Sequence, residues 1–261
     1  AKPRVNNMTT TNNREGFLYI VFGTSQIHYA EARFSILTLL KKSPSAKIFA
    51  LSERPELFAF SPNVLPISLT IALKNRWLND SNYQFSIKLR GIQFMLENYA
   101  DKIIFVDTDT IVLKDVMPLF GLVNKHDVLL HEFEGYLQKK KFSRNFSHIF
   151  GNSYEFKSAA LTISENSKMY NSGLIGVCRS HANRLSEITE IAESIDRDIE
   201  WHTAEQLALG IILDQTNTVR TVGNKTVYHY WHKKQRQFIR ESIVGFFQEQ
   251  NLERLIWTLS S

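Results

Sequence analysis

Two aspartates, Asp107 and Asp109, follow the apolar segment 102–106 with one threonine between them. The segment has strong β character, so both aspartates directly follow the end of a buried strand. Their carboxylates would point into the same space. Two such groups repel each other unless a proton or a cation lies between them. A divalent cation with oxygen ligands would neutralise both, and at a diphosphate it would act as a Lewis acid and a template. The structural alternative is that one Asp caps the next element and the other is solvated.

The helix that leads into this acidic strand carries two basic residues, Lys88 and Arg90. Either one could reach a sugar phosphate or the Asp pair, because a charged donor hydrogen-bonds strongly to phosphate and carboxylate. The spacing does not choose between them. Taken alone, such residues are more often part of a solvated helix face.

The tetrapeptide at 170–173 precedes an apolar strand and contains Asn171 and Gly173. A glycine allows the backbone to approach a ligand closely, and an asparagine amide can bind sugar hydroxyls. A plain turn into the strand is the equally good alternative.

A fourth group of polar residues contains His229, His232, Lys233 and Lys234. A histidine at the end of a strand can bind a metal ion, and the lysines after it can bind phosphate. The alternative is a basic cluster on the surface.

The elements that must position these residues alternate between strand and helix. Apolar runs predict strands at 17–22, 47–51, 63–67 and 102–107, and helical periodicity predicts helices at 26–42 and 84–99. This order is typical of an α/β domain with a mostly parallel sheet flanked by helices. Ligands bind beyond the carboxyl ends of the strands in such sheets. The loop after Phe22 and the loop that holds the Asp pair would both open at that edge.

The second half of the chain has a mixed pattern. It predicts strands at 126–130 and 173–178, an irregular polar and aromatic stretch at 132–168, and helices that end near Ile195 and begin near Thr203. The stretch at 132–168 would be a lid, an acceptor wall or a small structural insert. The segment 235–257 is basic, aromatic and amphipathic. We therefore divide the chain into a flexible lead-in (1–16), one catalytic domain (17–235) and a C-terminal amphipathic helix (236–261).

The formal net charge of +5 favours anionic partners, but does not choose among nucleotides, phosphates, membranes and nucleic acids. The single cysteine, Cys178, cannot form an internal disulfide, and no apolar run is long enough to span a bilayer. We expect a cytoplasmic or peripheral membrane location, with an anchor upstream of Ala1 left open.

The order of these segments resembles the GT-A fold and, within it, family 8 of the retaining glycosyltransferases, the glycogenin and galactosyltransferase-like enzymes. The resemblance covers about residues 17–235. It rests on five segments: the first strand, 17–23, with Phe22 and Gly23; the acidic strand, 102–112, with Asp107, Thr108 and Asp109; the segment 170–177 with Asn171 and Gly173; His202-Thr-Ala-Glu205-Gln206-Leu207; and His229 with the lysines after it. This sequence has Glu205 where the family usually has Asp, and it lacks the family's Gly after the metal-binding His.

The resemblance implies a small mixed sheet beside the main one and a metal ion, Mn²⁺ or Mg²⁺, bound by Asp107, Asp109 and His229. Residues 22–24, Lys88 or Arg90, Asp107, Thr108, Asn171, Gly173 and Lys234 would bind the donor, a nucleotide-diphosphate sugar and most simply a uridine one. Glu205 and Gln206 would lie beside the sugar as catalytic residues. Transfer would retain the anomeric configuration. The acceptor would be a glycan, a lipid-linked molecule or a protein. His232 stays an alternative to His229, and Lys233 an alternative to Lys234.

Two other interpretations remain open. A phosphatase of the haloacid dehalogenase type also has two aspartates spaced by one residue after a strand, with the first, here Asp107, as nucleophile. That motif normally opens the chain, whereas here it follows several elements. The basic C-terminal segment also suits a non-enzymatic membrane-binding module, and membrane contact is compatible with sugar transfer. We find no nucleic-acid-binding motif.

Overall fold

The computed structural model describes residues 14–78, 83–199 and 203–249, and it has a central sheet of seven strands. The strands are β1 (Glu15–Val21), β2 (Ile48–Ser52), β3 (Val64–Ser68), β4 (Lys102–Val106), β5 (Thr110–Val112), β6 (Asp127–Tyr136), β7 (Ser153–Phe156), β8 (Ala159–Thr162), β9 (Lys168–Cys178), β10 (Thr218–Thr221) and β11 (Val227–His229). The α-helices are α1 (Gln26–Lys42), α2 (Ile71–Leu78), α3 (Ser86–Asn98), α4 (Lys140–Phe146), α5 (Ala182–Asp196), α6 (Ala204–Thr216) and α7 (Lys233–Glu249).

The central sheet has the strand order β10-β6-β9-β4-β1-β2-β3. Strand β9 is antiparallel to both of its neighbours, and every other neighbouring pair is parallel. Two small sheets, β5 with β11 and β7 with β8, complete the described strands. The prediction of a mostly parallel α/β sheet flanked by helices is confirmed. The small sheets beside it are both antiparallel pairs of strands, where a small mixed sheet was predicted.

Strands β1 and β4 are continuous apolar runs because both faces of the sheet are covered. Successive side chains of a strand point to opposite faces. Leu18 and Phe105 therefore pack into one apolar cluster with helices α3, α5 and α6, while Phe17 and Ile104 pack into a second cluster with α1.

The stretch 132–168 is more regular than predicted. Strand β6 runs to Tyr136, helix α4 follows, and β7 and β8 form a hairpin. The apolar side chains of Phe142, Phe146 and Tyr154 are buried, and this burial stabilises the ordered elements. The sequence pattern was mixed because only one side of each of these short elements contacts the core.

Strand β9 begins at Lys168, earlier than predicted, so the segment 170–173 lies inside a strand and is not a turn before it. Strand β9 is antiparallel to β4 and pairs Leu174 with Val106. The segment 171–173 therefore reaches the edge of the sheet where β4 ends, and the Asp107 amide donates to the Gly173 carbonyl at 2.9 Å.

Helix α7 begins at Lys233, so the predicted boundary between residues 235 and 236 falls inside it. It packs on α1 through an edge-to-face contact of Phe34 with Phe246, whose ring centroids are 5.5 Å apart. Residues 1–13 of the predicted lead-in, His202 of the family-like segment before α6, and residues 250–261 of the predicted tail lie outside the described residues. Over the described part of the chain, every helix is too short or too polar to cross a bilayer.

Candidate metal centre

Asp107, Asp109 and His229 come together at the carboxyl edge of the parallel strands. One ligand atom from each residue lies within 4.8 Å of the others. The Nε2 atom of His229 is 3.2 Å from Oδ1 of Asp109 and 3.8 Å from Oδ2 of Asp107. Asp109 and His229 are buried, at 7% and 9% exposure, whereas Asp107 is half-buried. The three residues thus form a small acidic centre that opens on one side.

The small sheet places the histidine beside the aspartates, although it is distant in sequence. Strand β11 pairs His229 with Thr110 of β5, and the Tyr230 amide donates to the Asp109 carbonyl at 3.1 Å. The Thr110 hydroxyl donates to the carbonyl of Asp107 at 2.8 Å, which fixes the turn between β4 and β5. The sequence order predicted a shared edge, but it did not predict this pairing.

Asn171 determines which nitrogen of His229 faces the aspartates. Its Oδ1 atom accepts the backbone N–H of Gly173 at 2.9 Å, so this atom is the amide oxygen. It also lies 2.9 Å from Nδ1 of His229, which must therefore carry the proton and donate. In the neutral ring this leaves the Nε2 lone pair pointing at the two carboxylates, as a metal ligand requires. The donor set and the histidine tautomer both fit a divalent cation.

Gly173 is needed because the His229 ring lies against its backbone. A Cβ atom on residue 173 would overlap Nδ1 and Cε1 of the ring, and would lie 2.9 Å from Oδ1 of Asn171. The glycine therefore makes room for a side chain of the protein itself, where the sequence had indicated close approach to a ligand.

Positive charge surrounds the buried carboxylate of Asp109. Burial raises the pKa of this group, but the hydrogen bond and charge that His229 supplies when its ring carries both protons, together with the charge of Arg236, outweigh it and leave the pKa well below the usual value. Nη2 of Arg236 is 3.4 Å from Oδ2 of Asp109. The sequence did not predict Arg236 as a site residue. The helical periodicity of its segment does not show which side chains face the acidic centre.

Of the two cations on α3, only Lys88 faces the acidic centre. Its Nζ atom is 3.4 Å from Oδ2 of Asp107 and 3.7 Å from Oε1 of Glu205, and it donates to Oγ of Ser172 at 3.1 Å. Burial lowers the pKa of Lys88, but the carboxylates of Asp107 and Glu205 outweigh it and raise the pKa overall.

Arg90 points away from the acidic centre and contacts helix α5. Its Nη2 atom lies 2.8 Å from Glu190 and 3.4 Å from Glu193. Of the two basic residues of α3, Lys88 is therefore the one that lies beside the acidic centre. Residues two apart on a helix face different sides.

Glu205 and Gln206, in the first turn of α6, form another wall of the site. Glu205 is 2% exposed, and its pKa is raised by burial despite the charge of Lys88. Glu134 of β6 joins this wall, because its two carboxylate oxygens accept from Asn171 Nδ2 at 3.3 Å and from Gln206 Nε2 at 3.2 Å. Glu134 was missed because it lay in the stretch interpreted as irregular. Helix α6 begins close to the predicted position, with Thr203 as its N-cap residue, and the Thr203 side chain makes no capping hydrogen bond.

A cavity of about 1220 Å³ opens above the acidic centre. The predicted residues that line it are Phe22, Gly23, Thr24, Lys88, Asp107, Thr108, Asp109, Asn171, Gly173, Glu205, Gln206, His229, His232 and Lys233. The described residues that line it do not include Arg90 or Lys234. Gly23 has φ +86°, in the left-handed region that favours glycine, and its amide donates to Glu53 at 2.6 Å.

Comparison with known proteins gives a likeness of fold. No protein-family model and no curated protein matches the chain in sequence. A crystal structure of the galactosyltransferase LgtC, in complex with donor and acceptor sugar analogues, is similar with a TM-score of 0.57. The identity is 13%, and the match covers 93% of this chain and 96% of LgtC. The chain therefore has the GT-A glycosyltransferase fold.

Proposed function

We propose that the protein is a metal-dependent glycosyltransferase that moves a sugar from a nucleotide-diphosphate donor to an acceptor hydroxyl. One observation carries this proposal: the cluster of Asp107, Asp109 and His229 lies at the base of a large cavity at the carboxyl edge of a GT-A sheet. Ligands bind at this edge of open α/β sheets. A donor bound there would have its diphosphate beside the metal centre.

The two carboxylates and the Nε2 atom of His229 would bind Mn²⁺ or Mg²⁺. Oxygen ligands suit both ions, and the imidazole nitrogen favours Mn²⁺, because Mg²⁺ is bound mainly by oxygen. The bound ion would neutralise negative charge on the departing diphosphate. His232, the alternative ligand, lines the cavity. The metal-ligand cluster found among the described residues does not include it.

Cationic side chains around the centre would bind the phosphates directly. Lys88 already contacts Asp107, and Arg236 already contacts Asp109, so both lie where a diphosphate bound to the metal would be. Lys233 lines the cavity as well. We propose Lys88 and Arg236 for this role in preference to Arg90 and Lys234, which do not line the cavity.

The nucleoside would lie against Phe22, Gly23 and Thr24, where β1 ends at the same edge. The positive φ of Gly23, which glycine adopts readily, turns the backbone at this point. We propose uridine as the nucleoside, which rests on the resemblance of these segments to family 8 enzymes.

The sugar would lie between the acidic centre and the wall formed by Glu134, Glu205 and Gln206. The Glu205 carboxylate already forms an ion pair with Lys88 and accepts a hydrogen bond from Ser172, so Glu205 suits a positioning role. Gln206 and Glu134 present polar groups to the cavity and could contact the sugar or the acceptor hydroxyl. In transfer, the bond from the anomeric carbon to the diphosphate breaks, a bond to the acceptor oxygen forms, and the acceptor proton is released. We propose retention of configuration, again on the resemblance.

The acceptor would be a glycan, a lipid-linked molecule or a protein. Contact with a membrane surface is supported by α7, which exposes Phe238 at 71% and Val244 at 41% alongside Lys233 and Lys234. Salt-sensitive binding of the full chain to anionic vesicles would support this contact. Equal recovery with neutral and anionic vesicles would contradict it.

A screen of nucleotide sugars with Mn²⁺, read by mass spectrometry of nucleotide release and sugar transfer, tests the proposed activity. We expect turnover with a uridine-diphosphate sugar, and none with Asp109→Asn. The absence of binding and turnover for every donor, with no effect of Asp109→Asn, would contradict the proposal. A phosphoaspartate analogue trapped on Asp107 by beryllofluoride would favour the phosphatase interpretation instead.

A further inference from the structure

Arg236 lies between two carboxylates that belong to different parts of the molecule. Its Nη2 atom is 3.4 Å from Oδ2 of Asp109, at the acidic centre. Its Nε atom is 3.6 Å from Oε1 of Glu31, which is fully buried on α1. The Nε atom is itself buried and has no hydrogen-bond partner among the described residues. One guanidinium is therefore shared between two anions, and neither contact is a short hydrogen bond.

Arg240, one helical turn later, fixes α7 to the same glutamate. Its Nε and Nη2 atoms bond the two carboxylate oxygens of Glu31, each at 2.9 Å. Removing one partner of a buried ion pair leaves an uncompensated charge, which is strongly destabilising. Since Phe246 and Arg33 add further contacts between α7 and α1, the helix is held in register, and Arg236 is held at the acidic centre.

We propose that Glu31 is a positioning residue that sets how strongly Arg236 pairs with the Asp109 carboxylate, and thereby how readily Asp109 binds a metal ion. This inference rests on the proposed metal site. Glu31 attracts the guanidinium away from Asp109, and Asp109 attracts it away from Glu31. A divalent cation that binds the acidic centre must compete with Arg236, and Glu31 weakens the competitor.

The proposal predicts that substitutions of Arg236 and of Glu31 change the affinity for Mn²⁺ in opposite directions. Arg236→Gln removes the competing charge, so Mn²⁺ alone should bind about fivefold more tightly or better. Glu31→Gln keeps the shape of the side chain but releases Arg236 toward Asp109, so Mn²⁺ alone should bind about fivefold more weakly or worse. The double variant should bind Mn²⁺ like Arg236→Gln, because Glu31 affects the metal site through Arg236, whereas its ion pair with Arg240 anchors α7. A merely structural role would weaken binding in every variant.

The experiment titrates the 261-residue chain with MnCl₂, in the absence of nucleotide, and measures free Mn²⁺ by electron paramagnetic resonance. Lys42→Gln is the charge-matched control, since Lys42 is exposed in the last turn of α1 and its loss should leave the Kd unchanged. Asp109→Asn defines the background. Thermal melting of each variant checks that it is folded.

Shifts of the same sign in Arg236→Gln and Glu31→Gln, or a double variant as weak as Glu31→Gln, would overturn this inference and leave the proposed function standing. If Glu31→Gln does not fold, Arg236→Gln decides alone, and unchanged or weaker Mn²⁺ binding overturns the inference. Wild-type protein that binds no more Mn²⁺ than Asp109→Asn would overturn the proposed metal site and this inference together.

Discussion

The amide oxygen of Asn171 is 2.9 Å from Nδ1 of His229 and orients the imidazole toward the two aspartates. The same oxygen accepts the Gly173 amide, so its identity is fixed by the backbone. Asn171 thus determines the tautomer of His229 from within β9, a strand that lies 58 residues away in sequence. The sequence suggested that the Asn171 amide binds sugar hydroxyls. In the structure, the oxygen of this amide contacts His229, a candidate metal ligand.

Asn171→Leu should weaken Mn²⁺ binding by about tenfold or more, because groups that orient a metal ligand typically contribute 10–100-fold to affinity. The leucine has similar size but cannot accept the Nδ1 proton. Titration calorimetry with MnCl₂ measures the effect.

Gln206→Leu is the control for Asn171→Leu, since it removes the other amide that bonds Glu134 without touching the cluster. Its Mn²⁺ affinity should match the wild type. Equal losses in both variants would mean that Asn171 acts through Glu134 and not through His229.

Gly173→Ala should destabilise the fold by about 1–3 kcal/mol, because the added Cβ overlaps the His229 ring and forces the packed strand or ring to shift. Urea denaturation followed by circular dichroism gives the free energy of unfolding. Gly245→Ala is the matched control: nothing lies within 4 Å of its Cβ position, and an alanine inside α7 should stabilise by about 0.5–1 kcal/mol. A neutral Gly173→Ala would contradict the account of this contact.

Lys88→Met should raise the Kd for uridine diphosphate at saturating Mn²⁺ by about tenfold or more, since a buried charge that pairs with the ligand contributes several kcal/mol. Arg90→Gln should leave this Kd within about twofold and lower stability by about 1 kcal/mol, through its ion pairs with α5. The reverse pattern would place the nucleotide-binding cation at Arg90.

Gln206→Ala should lower the rate of sugar transfer by about tenfold or more and leave the affinity for uridine diphosphate with Mn²⁺ unchanged, because an interaction made only with the sugar contributes to kcat. Steady-state kinetics and calorimetry on the same preparation separate the two effects. A matching loss of nucleotide affinity would place Gln206 at the nucleotide instead.

The parallel half of the sheet was predictable because its apolar strands and periodic helices are continuous in sequence. Helix α1 was predicted at its observed bounds, and the Asp pair was placed at the correct edge. These features depend on local periodicity and on the general topology of α/β sheets.

The site was only partly predictable because it depends on tertiary contacts. Nothing in the sequence shows that β9 reaches back to Lys168, that Glu134 bonds two amides, or that Arg236 and not Lys234 faces the cavity. The position of Arg236 follows from the docking of α7 on the buried Glu31, which is 205 residues earlier in the chain.

Calorimetric titration with uridine diphosphate, performed with Mn²⁺ and again with a chelator, tests the central claim most directly. We predict binding with Mn²⁺ that weakens by more than about thirtyfold, roughly 2 kcal/mol, with the chelator and in Asp109→Asn. The same affinity in all three conditions would show that the centre formed by Asp107, Asp109 and His229 does not bind the diphosphate through a metal ion, and would contradict the proposed function.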